Sequence, residues 1–114
     1  MRPEAVLMKR IRVALAKDGR ARVVPNFVGS MVPSANRDSH PVTVGLGIGS
    51  ADLVGMLRSG RVFALEIKTP TGKVSAEQAR WLVAVRAWGG FAAVVRSPEE
   101  AIAAVERAVR GESQ

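Results

Sequence analysis

The sequence predicts an α/β domain in the order helix, mixed β-sheet, helix, strand, helix. Three observations point there. The chain has 114 residues, 47% of them hydrophobic, which suits one domain with a modest core and not two. Three segments, at 3–17, 75–88 and 98–110, carry helical apolar spacing or helix caps. Between the first two lie the apolar runs DLVGML (52–57) and RVFALEIK (61–68), joined by Arg58-Ser59-Gly60, a short loop with glycine placed for a hairpin.

The elements follow in chain order. Leu7, Ile11, Ala14 and Leu15 recur at helical spacing in 3–17, with Lys9, Arg12 and Lys17 elsewhere on the wheel, and Asp18-Gly19 ends the helix. Residues 20–28 (RARVVPNFV) read as extended, and Pro25 restricts them to an edge or an interrupted strand. Residues 29–41, rich in Gly, Ser, Pro, Asn and Asp, read as a loop long enough to be mobile or functional. PVTVGLGIGS (41–50) passes from a short apolar piece into glycines. Thr69-Pro70-Thr71-Gly72 stops the second strand of the hairpin. Ser75 caps the next helix, which carries Trp81, Leu82, Val85 and Trp88 on one side and ends at Gly89-Gly90. FAAVV (91–95) is a short apolar strand. Ser97-Pro98-Glu99-Glu100 supplies the cap, first-turn proline and acidic start of the last helix. One domain over 1–110 is expected, with 111–114 a disordered, fraying tail.

Composition removes several functional classes. There is no cysteine, so disulfides, zinc–thiolate sites and cysteine catalysis are excluded. A single histidine, His40, rules out a histidine zinc cluster. No apolar run approaches the ~18 residues of a membrane helix, and MRPEAVLMKR has acid and base too early for a secretory signal. An intracellular protein is expected. The net charge of +7 and pI near 11.3 favour a polyanionic partner, nucleic acid first. Residues 1–22 hold Arg2, Lys9, Arg10, Arg12, Lys17, Arg20 and Arg22 against Glu4 and Asp18, whereas 97–114 are net acidic. The competing reading is a plainly solvated basic face. Aromatics are 4% and tyrosine is absent, which speaks against a stacking platform for single strands.

With so few carboxylates, position is informative. Glu66 and Lys68 share one strand face with Val62 and Ala64, roughly 6–7 Å apart along the strand. Buried charge there requires a partner or a metal; the alternative is a solvent-facing Glu/Lys pair. Asp52 opens the preceding strand, and the hairpin brings it near Glu66; the alternative is a turn-capping Asp. Glu4 lies within about 60° of Leu7, Ile11 and Leu15 on the helical wheel, so it points along the buried stripe, unless it merely favours the helix N-terminus. Ser75-x-x-Gln78 is a capping box, yet Gln78 also aligns with Leu82 and Val85 on the sheet-facing side. Two acids and a lysine on neighbouring strands suggest oxygen-ligand chemistry with Mg²⁺ or Mn²⁺. Asp52 and Glu66 would hold the ion, with the backbone carbonyl of Ile67 as a further ligand. Lys68 would orient water or stabilise charge on phosphorus.

Asp52 followed by Glu66-Ile67-Lys68 resembles the PD-(D/E)XK nuclease signature. The wider pattern is more specific: Gly49-Ser50-Ala51-Asp52-Leu53, Glu66-Ile67-Lys68, Gly72-x-x-Ser75-x-x-Gln78 and a glycine before FAAVV resemble the VRR-NUC domain (virus-type replication-repair nuclease). That resemblance implies a restriction-endonuclease-like core and Mg²⁺-dependent hydrolysis of DNA, with Mn²⁺ as substitute and no small-molecule cofactor. It implies that Asp52 and Glu66 are metal ligands, Lys68 the catalytic lysine and Gln78 the helix glutamine beside the site. Glu4 fits the family's early glutamate, reaching the metal through water. Small members of this type are similar to phage and bacterial Holliday-junction resolvases, which implies branched DNA, a homodimer and a host cytoplasm. Ala51 stands where the family usually has proline, a departure that removes a stiff turn and no ligand. Arg37 and His40 match no family role.

Two other functions compete. A non-catalytic basic DNA-binding module would explain the charge but not the grouping of Asp52, Glu66 and Lys68. Nucleotide binding through Gly45-x-Gly47-x-Gly49 fails because Ser50 breaks the spacing and no P-loop lysine follows; these glycines instead let the chain bend into the strand of Asp52. A dimer surface is expected from the last helix (Ala101, Ile102, Val105, Val109) or from 20–45.

Overall fold

The computed structural model describes residues 2–31 and 42–114. Helix α1 (Pro3–Asp18) starts on Pro3, whose missing N–H falls where a helix has no partner for it. It stops at Gly19, whose φ of 77° is left-handed backbone suited to glycine. Strand β1 (Ala21–Pro25) follows at the edge of the main sheet, the position that tolerates Pro25. β2 (Gly29–Met31) and β3 (Val42–Val44) pair as a separate antiparallel ribbon. The reading of 29–41 as a loop is thus corrected at its start, where 29–31 are strand. Residues 32–41, with Arg37 and His40, lie outside the described residues.

β4 (Leu53–Leu57) and β5 (Val62–Ile67) form the hairpin, Leu53 opposite Leu65 and Met56 opposite Val62. Helix α2 (Ala76–Ala87) crosses over to β6 (Phe91–Val95), which lies parallel to β5, and β1 lies antiparallel to β4. The sheet is therefore mixed, in the order β1-β4-β5-β6. Helix α3 (Pro98–Val109) begins at Ser97, whose hydroxyl accepts from the N–H of Glu100.

Strand alternation divides the core in two. Leu53, Leu57, Phe63, Leu65, Ile67, Phe91 and Val95 face α1 and α3, where Ile11, Leu15, Ala101, Ala104 and Val105 complete the larger cluster. Phe63 and Phe91 stack there, 5.3 Å between ring centres. On the other face Ala51, Ala64 and Ala92 meet Leu82 of α2. These small side chains let α2 approach the sheet. The result is three layers, with α1 and α3 on one side and α2 on the other. Because Ala101 and Val105 are fully buried in this core, α3 keeps Val109 as its one exposed large apolar residue. Its apolar stripe is therefore not a free dimer surface.

Residues 111–114 differ from the disordered tail expected. β6 is a sheet edge whose outer backbone groups lack a strand partner, and the tail meets them: the N–H of Ala92 donates to the carbonyl of Ser113 at 3.0 Å. Arg61 Nη2 donates to the carbonyl of Glu112 at 2.9 Å and Arg107 Nε to that of Gln114 at 3.2 Å. Among the described residues no helix is long and apolar enough to cross a membrane.

Candidate active site at the end of the hairpin

Glu66 is 2% exposed, on the α2 side of β5 among Ala64 and Ala92. Extending the hairpin register one step past Leu53 and Leu65 sets Asp52 across from it. Asp52 Oδ2 accepts from the N–H of Ile67 at 2.8 Å, which fixes the carboxylate against the end of β5. Lys68 Nζ is 3.9 Å from Glu66 Oε1, and both side chains are largely shielded from water. The backbone N–H of Lys68 donates to the carbonyl of Val95, so the residue is held at the strand end.

Gln78 reaches both neighbours that its sequence position suggested, the helix cap and the sheet. Its Oε1 accepts from the N–H of Ser75 at 2.9 Å and its own N–H donates to Ser75 Oγ at 3.1 Å, closing the capping box. Its Nε2 donates to Glu66 Oε1 at 3.1 Å. One amide thus caps α2 and orients the buried acid. With Oε1 shared by Gln78 and Lys68, Glu66 Oε2 is buried and has no hydrogen-bond partner among the described residues. Burial first, then the Asp52 carboxyl beside it, push Glu66 up to about 8, and Lys68 offsets only part of this.

The consequence for stability has a definite sign. Without a cation, the folded protein keeps the Glu66 proton to about pH 8, whereas the unfolded chain releases it above its ordinary value of 4.5. Folding stability therefore falls as pH rises through that window. Thermal melts in EDTA are expected to show a declining Tm from about pH 5 to about pH 8, and Glu66→Gln should flatten the decline. Since a cation must displace the proton, added Mn²⁺ should raise Tm more at the upper end. Identical pH profiles for the two proteins would contradict this assignment.

Glu4, Asp52, Glu66, Ile67, Lys68 and Gln78 all line one cavity of about 260 Å³, together with Met8, Thr69 and Gly72. Glu4 differs from expectation in its surroundings. It is exposed at the start of α1, not buried along the stripe, and meets the cavity from its rim. Among the described residues no three His, Cys, Asp or Glu side chains are close enough to hold an ion together, so Asp52 and Glu66 stand as a pair.

Two positioning residues escaped the sequence reading. Asn26, just past β1, sends Nδ2 to Ser50 Oγ and to the Ala51 carbonyl, 2.8 Å each, while Oδ1 accepts from the N–H of Leu46 at 3.1 Å. Its backbone N–H donates to the carbonyl of Asp52 at 2.8 Å. Arg96 Nη1 donates to the carbonyls of Thr69 (2.6 Å) and Gly72 (2.7 Å), clasping the turn that follows Lys68. The available signal was an asparagine beside Pro25, a residue type that bonds neighbouring backbone, and a lone cation ending the apolar FAAVV. The glycine bend behind Asp52 is also specified: at Gly49, φ 86°, a Cβ would sit 2.7 Å from the Glu77 carbonyl oxygen in the first turn of α2. Asn26→Ala is expected to cost about 1–3 kcal/mol and to weaken Mn²⁺ binding, read by denaturant titration and calorimetry. Unchanged Mn²⁺ affinity would deny Asn26 its positioning part.

An acid pair across a hairpin, an amine one step on and an amide holding one acid are suited to charge-assisted hydrolysis of a phosphodiester. This is the class of site found in metal-assisted nucleases. A family model described as the VRR-NUC domain matches residues 9–99, about four-fifths of the chain, and this protein belongs to that family. The matched span contains Asp52, Glu66, Lys68 and Gln78 and begins after Glu4. A search of curated proteins finds no match to this chain. Membership makes the domain a nuclease fold with DNA as the implied substrate, in a superfamily that generally uses divalent metals.

Proposed function

We propose that the protein is a Mg²⁺-dependent DNA endonuclease, with Mn²⁺ able to substitute, acting on branched DNA as a homodimer. The observation that carries this reading is Glu66 Oε2, buried and unpartnered, beside the carboxyl of Asp52. Such an oxygen is costly unless a cation meets it. The donors are all oxygen, which suits Mg²⁺ or Mn²⁺. Asp52, Glu66 and the Ile67 carbonyl would hold the ion, and Glu4 would reach it through water. When bound, the ion supplies Lewis acidity to the phosphate and acidifies water.

The chain's own residues do the rest. Gln78 Nε2 holds Glu66 Oε1, leaving Oε2 directed at the site. The N–H of Ile67 holds Asp52 Oδ2. Hydrolysis adds water across one P–O bond, and negative charge gathers on the phosphoryl oxygens. The Lys68 ammonium meets that charge and orients the attacking water. Phe27, Leu46 and Ile48 are 73%, 57% and 71% exposed, and Leu46 is tied to Asn26 by a hydrogen bond. Large apolar side chains so exposed suit self-association, and two copies would present two sites to the two strands of a four-way junction. Such a substrate would be met in the cytoplasm of a bacterial or phage-infected cell.

The test is cleavage of labelled four-way and linear DNA in Mg²⁺ and in Mn²⁺, with oligomeric state measured by light scattering. Paired nicks in the junction at a lower protein concentration than in linear duplex support the reading. Binding without nicks in either metal would favour the non-catalytic DNA-binding module.

A further inference from the structure

A second concavity, of about 570 Å³, lies between α1 and β1 and takes no part in the site above. Lys9, Arg12 and Arg22 line it, and no acidic residue does. All three side chains are exposed, and among the described residues none has an ion-pair partner. The acid nearest in sequence, Asp18, is engaged: Arg20 donates to it through Nε at 2.9 Å and Nη2 at 2.7 Å. Arg20 Nη1 also pairs with Glu106 at 2.7 Å. Both acids are thus turned to Arg20, and among the described residues the cations of the groove face solvent without an ion-pair partner.

α1 connects the groove to the catalytic cavity. Glu4 and Met8 line the cavity, and Lys9 and Arg12 line the groove. Met8 and Lys9 are neighbours on that helix, so the cavity and the groove adjoin along it. The rest of the lining is aliphatic or glycine, including Val13, Ala16 and Val23, with no aromatic ring. Such a groove can meet phosphates but offers nothing on which an unstacked base could lie.

We propose that the α1–β1 groove binds the sugar–phosphate backbone of a duplex arm, independently of sequence, on the arm that carries the phosphate cut at Asp52 and Glu66. This rests on the nuclease reading for its orientation, but its test does not require cleavage. Affinity for a labelled duplex would be measured in EDTA by fluorescence anisotropy, from about 50 to about 200 mM salt. Replacing Lys9, Arg12 and Arg22 together by alanine should flatten the slope of log affinity against log salt by about 2–3, near 0.9 per lost phosphate contact. Arg80→Ala, at an exposed position of α2 across the sheet from the groove, should change the slope by less than about 1. Each single groove substitution, at an exposed position, should fold and remove about 0.9 by itself.

A triple variant with the parent's slope would overturn the groove assignment while leaving the nuclease reading intact. A parent that binds duplex through these residues but never cuts would leave the groove and overturn the nuclease. Tighter binding of single strands than of duplex, or residue-dependent binding to anionic vesicles with none to DNA, would also overturn the proposal.

Discussion

Glu66→Gln is expected to abolish DNA cleavage and leave the protein folded. The amide has the same shape, and its oxygen can still accept from Gln78 Nε2 at the position Oε1 now holds. What is lost is the negative charge that Oε2, without a partner among the described residues, would offer an ion. Metal-assisted stabilisation of a phosphate transition state is worth several kcal/mol, and each ~1.4 kcal/mol is tenfold in rate. A fall of about 10³-fold or more in the cleavage rate is therefore expected, together with loss of Mn²⁺ binding. Circular dichroism should stay unchanged, and the metal-free variant should be the more stable protein at about pH 8, because it no longer exposes a buried acid to ionisation. A variant that cuts within tenfold of the parent would remove Glu66 from the site.

Lys68→Met separates charge stabilisation from ion binding. The methionine keeps the aliphatic stem and removes the ammonium 3.9 Å from Glu66 Oε1. Loss of one preorganised donor to a developing oxyanion costs about 10²–10³ in rate. Cleavage is expected to fall by that factor while Mn²⁺ still binds at about pH 8, where Asp52 and Glu66 remain in place. If metal binding and cleavage disappear together, Lys68 is holding the carboxylates and not meeting the phosphate.

Most of the site was legible in the sequence because a strand alternates. Once FALEIK was a strand, Glu66 had to share a face with Ala64 and Lys68, and a short hairpin loop had to return Asp52 to its side. Ser75-x-x-Gln78 was legible as a cap, but its second hydrogen bond, to Glu66, depends on how closely α2 sits on the sheet. That distance is set by Ala64, Ala92 and Leu82 acting together, which no local pattern reveals. Glu4 shows the limit of wheel arithmetic. It shares a side of the wheel with the buried Ile11 and Leu15, yet in the first turn of α1 it is exposed and lines the cavity. Asn26 and Arg96 act on backbone groups 20 or more residues away, and a long-range side-chain-to-backbone bond has no periodicity. The docked tail was missed for a related reason, since fraying is the default for termini only when no open strand edge is within reach.

The most direct measurement is a crystal structure of the protein soaked in Mn²⁺, read by the anomalous signal of the metal. The account requires an ion touching the carboxylates of both Asp52 and Glu66 and the carbonyl of Ile67, with Lys68 Nζ beside it and free of it. Manganese bound elsewhere on the surface, with Glu66 Oε2 still protonated and alone, would contradict it.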